Sequence, residues 1–245
     1  MKKARFYLVK LPIISITIFF FCSIIAALIY PGSQKEIIEY QSDYYSFTHN
    51  FLSELGSLKT NTDETNLAII QKDNTPSMLL FNGSLILIGA TLILFYLNFK
   101  KVFGLIGDSR KSIFYSKITM PLGLLAGFFY AGVGFVPHDL HYGAHVFFAN
   151  YAFLTLFFLC ILHSLSVYHS NYLSNIYVIG YVAFCLVLFV YLRIIFFGPQ
   201  IGPGKIYSEA DLVLQVIAQK SIVLIFMAAI LHQVHGFNIL LNKKR

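Results

Sequence analysis

Six apolar runs, at 11–30, 78–99, 118–136, 144–168, 176–197 and 212–235, alternate with polar segments of very unequal length. Each run is close to the ~20 residues that cross ~30 Å of hydrocarbon as a helix. Backbone N–H and C=O groups find no water at that depth, so such runs must satisfy them internally, as helices. The pattern predicts a single all-α domain over 1–245, a polytopic bundle of six transmembrane helices. The connection 31–77 is long and 138–143 is very short. The segment 198–211 carries Gly198, Pro199, Gly202, Pro203 and Gly204, which predicts an irregular link. Within 31–77, Phe47, Phe51, Leu52, Leu55 and Leu58 recur at helical spacing, which predicts a short amphipathic helix on the bundle's face.

The first run follows Lys2, Lys3, Arg5 and Lys10, as a secretory leader would. A leader has a shorter apolar core ending in a small-x-small site. Ile25 stands where Ala27 would need a small residue, so the run reads as a retained span.

Six crossings put both termini on one side, and charge chooses that side. With the termini cytoplasmic, the inner segments hold Lys2, Lys3, Arg5, Lys10, Lys100, Lys101, Arg110, Lys111, Lys117, Lys243, Lys244 and Arg245 against Asp108 alone. The outer segments hold Lys35, Lys59, Lys72 and Lys205 with the other acids. This asymmetry satisfies the positive-inside rule and predicts a multi-pass protein of the cell's inner (plasma) membrane. The net charge of +7 therefore orients the chain and does not call for nucleic acid. Only 12% of residues are charged, against ~25% in a soluble domain, which excludes a water-exposed globule. Cys22, Cys160 and Cys185 all lie inside apolar runs, with no disulfide framework and no CxxC pair.

Topology also sorts the polar groups by depth. His49, Ser53, Glu54, His138, Asp139, His141, His145, Arg193, Asp211 and Gln215 all fall near the outer face, and Lys220 lies in the outer half of the last span. Ionisable groups at membrane depth usually face the bundle interior or a wet cavity. The segment 137–145 concentrates this chemistry. If the fourth helix began near His138, then His138, His141 and His145 would fall within about 60° of one another at ~100° per residue. Such a face can hold zinc, with Asp139 or Glu54 orienting it; the alternative is interfacial histidines bonded to water or backbone. Ser53 is a candidate nucleophile, or else one end of a helix cap with Glu54 and Gly56. Arg193 and Lys220 are the cations that would meet an anionic group. The third span holds Gly123, Gly127 and Ala131, small residues four apart that let helices approach within the bundle or between two copies. His163, His232 and His235 read as interfacial or packing residues.

The stretches 50–56 (NFLSELG), 74–77 (NTPS) leading to Leu80-Phe81-Asn82-Gly83, and Gly134-Phe135-Val136-Pro137-x-Asp139-x-His141 follow one another in this order. Together they resemble the domain of unknown function 998 family over nearly the whole chain. More remotely, the chain is similar to DRAM-type membrane proteins, a group that includes a GPI-lipid-remodelling factor. The resemblance implies six spans and singles out Ser53, Glu54, Gly56, Asn82, Pro137, Asp139 and His141; it implies no activity, and His138 and His145 go beyond its pattern.

The expectation is an outward polar pocket that binds, and in an enzyme modifies, a membrane lipid headgroup. Its catalytic candidates are Ser53, Glu54, Asp139 and His141. Its substrate-binding candidates are His49, Asn82, His145, Arg193, Asp211, Gln215 and Lys220. A small-solute or proton-coupled transporter and a non-catalytic scaffold are the alternatives.

Overall fold

A computed structural model of the chain describes residues 2–243; Lys244 and Arg245 of the charge argument lie outside the described residues. It contains six helices long and apolar enough to cross a membrane. They are α1 (Lys2–Leu28), α2 (Thr75–Leu105), α3 (Arg110–Phe135), α4 (Tyr142–Tyr168), α5 (Ile176–Phe197) and α6 (Glu209–Lys243). The protein is thus a multi-pass all-α bundle. Most helices outrun their apolar runs. Charged residues such as Lys100, Lys101, Arg110 and Lys111 continue the helix past the greasy stretch. Hydropathy marks where lipid solvates the chain, whereas the i→i−4 ladder ends only where a cap or turn replaces it. Ser109 caps α3 by accepting from the Ser112 N–H, and α3 runs straight through Pro121.

Consecutive helices pack side by side and α6 returns to α1, so the six form a ring. The α2–α3 contact is the most extensive, and small residues cause it. A Cβ on Gly127 would lie 2.5 Å from the Gly89 carbonyl oxygen, and one on Gly123 would lie 2.2 Å from the Tyr96 ring. Of the two uses expected for this stripe, Gly123 and Gly127 take the one inside the bundle, against α2. The α1–α6 closure leans on the end of the bundle that carries the termini, where Arg5 Nη2 donates to Asn238 Oδ1 at 3.1 Å.

At the opposite end, called here the loop end, residues 31–77 fold over the ring. They begin with an antiparallel hairpin, β1 (Ser33–Lys35) and β2 (Tyr40–Ser42). Sequence reading missed it because its turn carries no Asn-Gly or Asp-Gly signal; Glu39 takes the left-handed conformation instead, with φ 52°. Gly32 admits the close approach, since a Cβ there would lie 2.3 Å from the Ser42 carbonyl oxygen.

The expected amphipathic helix is replaced by turns over 47–50 and a 3₁₀ turn at Leu52–Gly56. Side chains divert the backbone there: Asn50 Oδ1 accepts from the Ser46 N–H at 2.8 Å, and Lys220 takes the Phe47 carbonyl. Leu55 is fully buried while Phe47 is 60% exposed. The 3₁₀ turn seats against α1, α2 and α6, over the ring's loop end.

Candidate functional site

Glu54 organises the loop end. Its Oε1 accepts from Lys35 Nζ at 3.1 Å and from the Phe51 N–H at 2.9 Å. Its Oε2 accepts from Asn50 Nδ2 at 2.6 Å and from the Tyr30 hydroxyl at 3.4 Å. The Glu-to-Phe51 bond is the backward half of a capping box on the 3₁₀ turn. Carbonyls 55, 56 and 57 are then taken by α2 and its N-cap. Asn74 Nδ2 donates to Ser57 O at 2.8 Å, Ser77 Oγ to Leu55 O at 2.9 Å, and Asn82 Nδ2 to Gly56 O at 2.9 Å. Gly56 is required by that closeness, because a Cβ would meet Asn82 Oδ1 at 2.2 Å. From α6, Gln219 Oε1 accepts from the Leu52 N–H at 2.7 Å, and Lys220 donates to Phe47 O and Asn50 O.

Burial pushes the Glu54 carboxyl up, but Lys35, Asn50 and the Phe51 N–H outweigh it and hold it below the ordinary 4.5. Burial pushes Lys35 down, and Glu54 outweighs it to hold the ammonium above the ordinary 10.5. The depressed acid stabilises the fold above 4.5 and loses that contribution as pH falls through its lowered value. The raised base stabilises below 10.5 and loses its contribution as pH rises through its raised value. Thermal unfolding in detergent is therefore expected to be flat between those limits and to weaken below pH 4.5. Glu54→Gln should flatten this acid limb; an unchanged limb would assign it to other carboxyls.

Beneath this platform lies a cavity of about 540 Å³. Its rim is polar: Lys35, Ser53, Glu54, Asp63, Glu64, His138, Lys205 and Gln215. Its deeper walls are apolar: Ile16 and Phe19 of α1, Phe81, Leu85 and Ile88 of α2, Tyr130 and Val133 of α3, Phe153 of α4, and Phe226 and Ile230 of α6. The connection between α5 and α6 forms part of the mouth. It is held there by Gln215 Nε2 donating to Pro199 O at 2.6 Å and by the Tyr142 hydroxyl donating to Ile201 O at 2.7 Å.

The predicted residues separate into two groups. Ser53, Glu54, His138, His145 and Gln215 line the cavity. The others do not. Asp139 accepts from the Leu58 and Lys59 N–H groups at 3.1 and 3.0 Å, so its carboxylate pins the long loop to the α3–α4 turn. His141 is exposed and caps α4, its Nδ1 accepting from the Ala144 N–H at 3.1 Å. Asn82 is committed to Gly56. Asp211 caps α6 with Ser208, at 2.6 Å. His49 stacks on Tyr40 and meets Glu209 at 3.0 Å. Arg193 is exposed, with Cζ 4.8 Å from the Phe197 ring centre. Lys220, 4% exposed, faces inward as a clamp on loop carbonyls between the rings of Tyr45 and Phe47.

Two expected chemistries lose their geometry. Helix α4 starts at Tyr142, so His138 lies in the preceding turn and the three histidines share no helical face. Among the described residues no group of three or more His, Cys, Asp or Glu side chains is placed to hold a metal ion. The Ser53 hydroxyl makes no hydrogen bond among the described residues, while His138 Nδ1 lies 2.9 Å from Ser57 Oγ. Ser57 is buried, donates to the Glu54 carbonyl and lies outside the cavity lining.

Sequence reasoning also missed a second polar cluster. His163 is fully buried between Tyr96 Oη at 3.2 Å and Gln233 Oε1 at 3.1 Å, among Phe95, Phe99 and Phe237. The pairing joins α2, α4 and α6, and only a buried histidine partnered by a tyrosine and an amide in other spans could have signalled it. Asp63, Lys35 and Asn50 were likewise passed over as site residues, because loop residues carry no periodicity that aims them. The chain matches no protein-family model, no curated protein and no solved structure.

Proposed function

We propose that this protein resides in the plasma membrane with both termini cytoplasmic and binds an amphiphilic membrane molecule in an outward-facing cavity. The proposal keeps the resemblance to the domain of unknown function 998 family as an expectation about architecture. The observation that carries it is one continuous space of about 540 Å³ whose lining changes from charged loop residues to aliphatic and aromatic helix residues. That volume lies within the ~300–1,000 Å³ of small-molecule sites. A headgroup fits the rim and a hydrocarbon chain fits the walls. Chemistry on the ligand has less support: Ser53 has no base among the described residues, and the hydroxyl that meets His138, that of Ser57, donates to the Glu54 carbonyl and lies outside the cavity lining. A transporter has less support too: Ile16, Ile88 and Ile230 stand between the cavity and a separate void of about 20 Å³ beside Tyr96.

The test is saturable binding of a tail-labelled fluorescent monoacyl probe to purified protein. Ala149→Phe and Val223→Phe, on two different helices, place bulk in the cavity. Each is expected to weaken binding by about tenfold or more, with unfolding temperature little changed. Non-saturable uptake by the wild type, or full affinity in both variants, would overturn the reading.

A further inference from the structure

We infer that the headgroup recognised at this mouth is rich in hydrogen-bond donors and carries no net negative charge: an amine- or hydroxyl-headed single-chain amphiphile rather than a phosphorylated one. This rests on the cavity reading above and narrows it. The acids lining the cavity are Glu36, Glu54, Asp63 and Glu64, against the lysines Lys35 and Lys205. Lys35 is consumed by Glu54 at 3.1 Å. Lys205 is exposed at the rim. The two cations that the sequence offered to an anion are elsewhere, Lys220 on loop carbonyls and Arg193 on the exposed face. A phosphate would enter a rim with three carboxylates against one free ammonium, and such like-charge juxtaposition is unfavourable.

Two uncommitted acceptors face the cavity, beside donors such as the Ser53 hydroxyl and Lys205. Asp63 makes no hydrogen bond among the described residues, and His138 Nε2 lies 3.8 Å from its Oδ2. Burial and the nearby Glu54 hold its carboxyl above the ordinary carboxylate value despite His138. His145 supplies an independent observation. It is 6% exposed and lines the cavity, and its Nδ1 lies 2.7 Å from Val136 O, a bond the ring can make only as donor. Nε2 is then an acceptor, and it is buried without a partner among the described residues. Buried polar atoms are normally satisfied, so an N–H or O–H from the bound molecule, direct or through water, is what this position lacks. The volume suits one chain and a small head.

The experiment compares three ligands with the same oleyl chain, oleylamine, monoolein and oleoyl lysophosphatidate, displacing the fluorescent probe at neutral pH. The amine and the glyceride are expected to displace it at about tenfold lower concentration than the phosphate. Asp63→Asn should erase the advantage of oleylamine over lysophosphatidate while leaving monoolein unchanged. His145→Phe should weaken oleylamine and monoolein together. Lysophosphatidate binding as tightly as the others overturns this inference and leaves the cavity reading standing. Failure of all three to displace the probe saturably overturns both. Ratios unchanged in both variants overturn the roles of Asp63 and His145.

Discussion

Glu54→Ala is expected to be the most damaging single side-chain truncation at the loop end. The alanine removes an acceptor shared by Lys35, Asn50, Tyr30 and the Phe51 N–H, leaving three of these donors with nothing opposite them and Asn50 Nδ2 with Ser33 Oγ alone. Removing one partner of a buried charge pair costs about 3–5 kcal/mol, because the other charge stays behind. Lys35 and Glu54 side chains are 13% and 12% exposed, so water cannot substitute freely. The loss should appear as a lowered unfolding temperature in detergent and as new proteolytic cleavage within 31–77. Lys35→Met should repair part of it, since the double variant no longer buries an unpaired ammonium. A Glu54→Ala protein with native stability and a protected loop would show that the carboxylate is not the hub of this platform.

Gly127→Leu is expected to have the next largest effect, in a different place. Even a Cβ at position 127 would fall 2.5 Å from Gly89 O and 2.6 Å from Ile93 Cγ1, and the first of these is backbone of α2 that cannot rotate away. Overpacking of this kind costs about 1–3 kcal/mol or more. The two helices must separate, which also disturbs the cavity wall formed by Leu85, Ile88 and Val133. Stability and probe affinity should therefore fall together. If the stripe instead joined two copies, the leucine would abolish a dimer on size-exclusion light scattering and leave the monomer's stability intact. That outcome would refute the packing described here.

Several residues of the loop end have a common physical role. Glu54, Gly56, Asn74, Ser77, Asn82 and Asp139 all hold the backbone of 50–59 in place, through side chain–backbone bonds or, in Gly56, through absence of a side chain. Of these, the sequence placed Glu54 and Asp139 at one depth and offered them, with Asn82, as site candidates. Depth was legible because hydropathy and charge asymmetry act on each segment separately. Role was not, because a carboxylate that caps a loop and one that meets a ligand have the same local sequence. Asp139 and Glu54 show this: both looked catalytic, and both are filled by N–H donors.

Six crossings and the clustering of His, Asp and Glu near one end follow from composition and spacing alone, since lipid solvation penalises every unpaired backbone group and charge residue by residue. The sites of real closeness lie beyond that reach. Lys220 finds carbonyls 170 and 173 positions away, Asp139 finds amides 80 and 81 positions away, and Gly127 finds the carbonyl of Gly89 on another helix. Which polar groups are consumed, and which remain open around the cavity, is set by the directions in which packed helices aim their side chains. That is a property of the assembled ring, so the tertiary structure alone decides it.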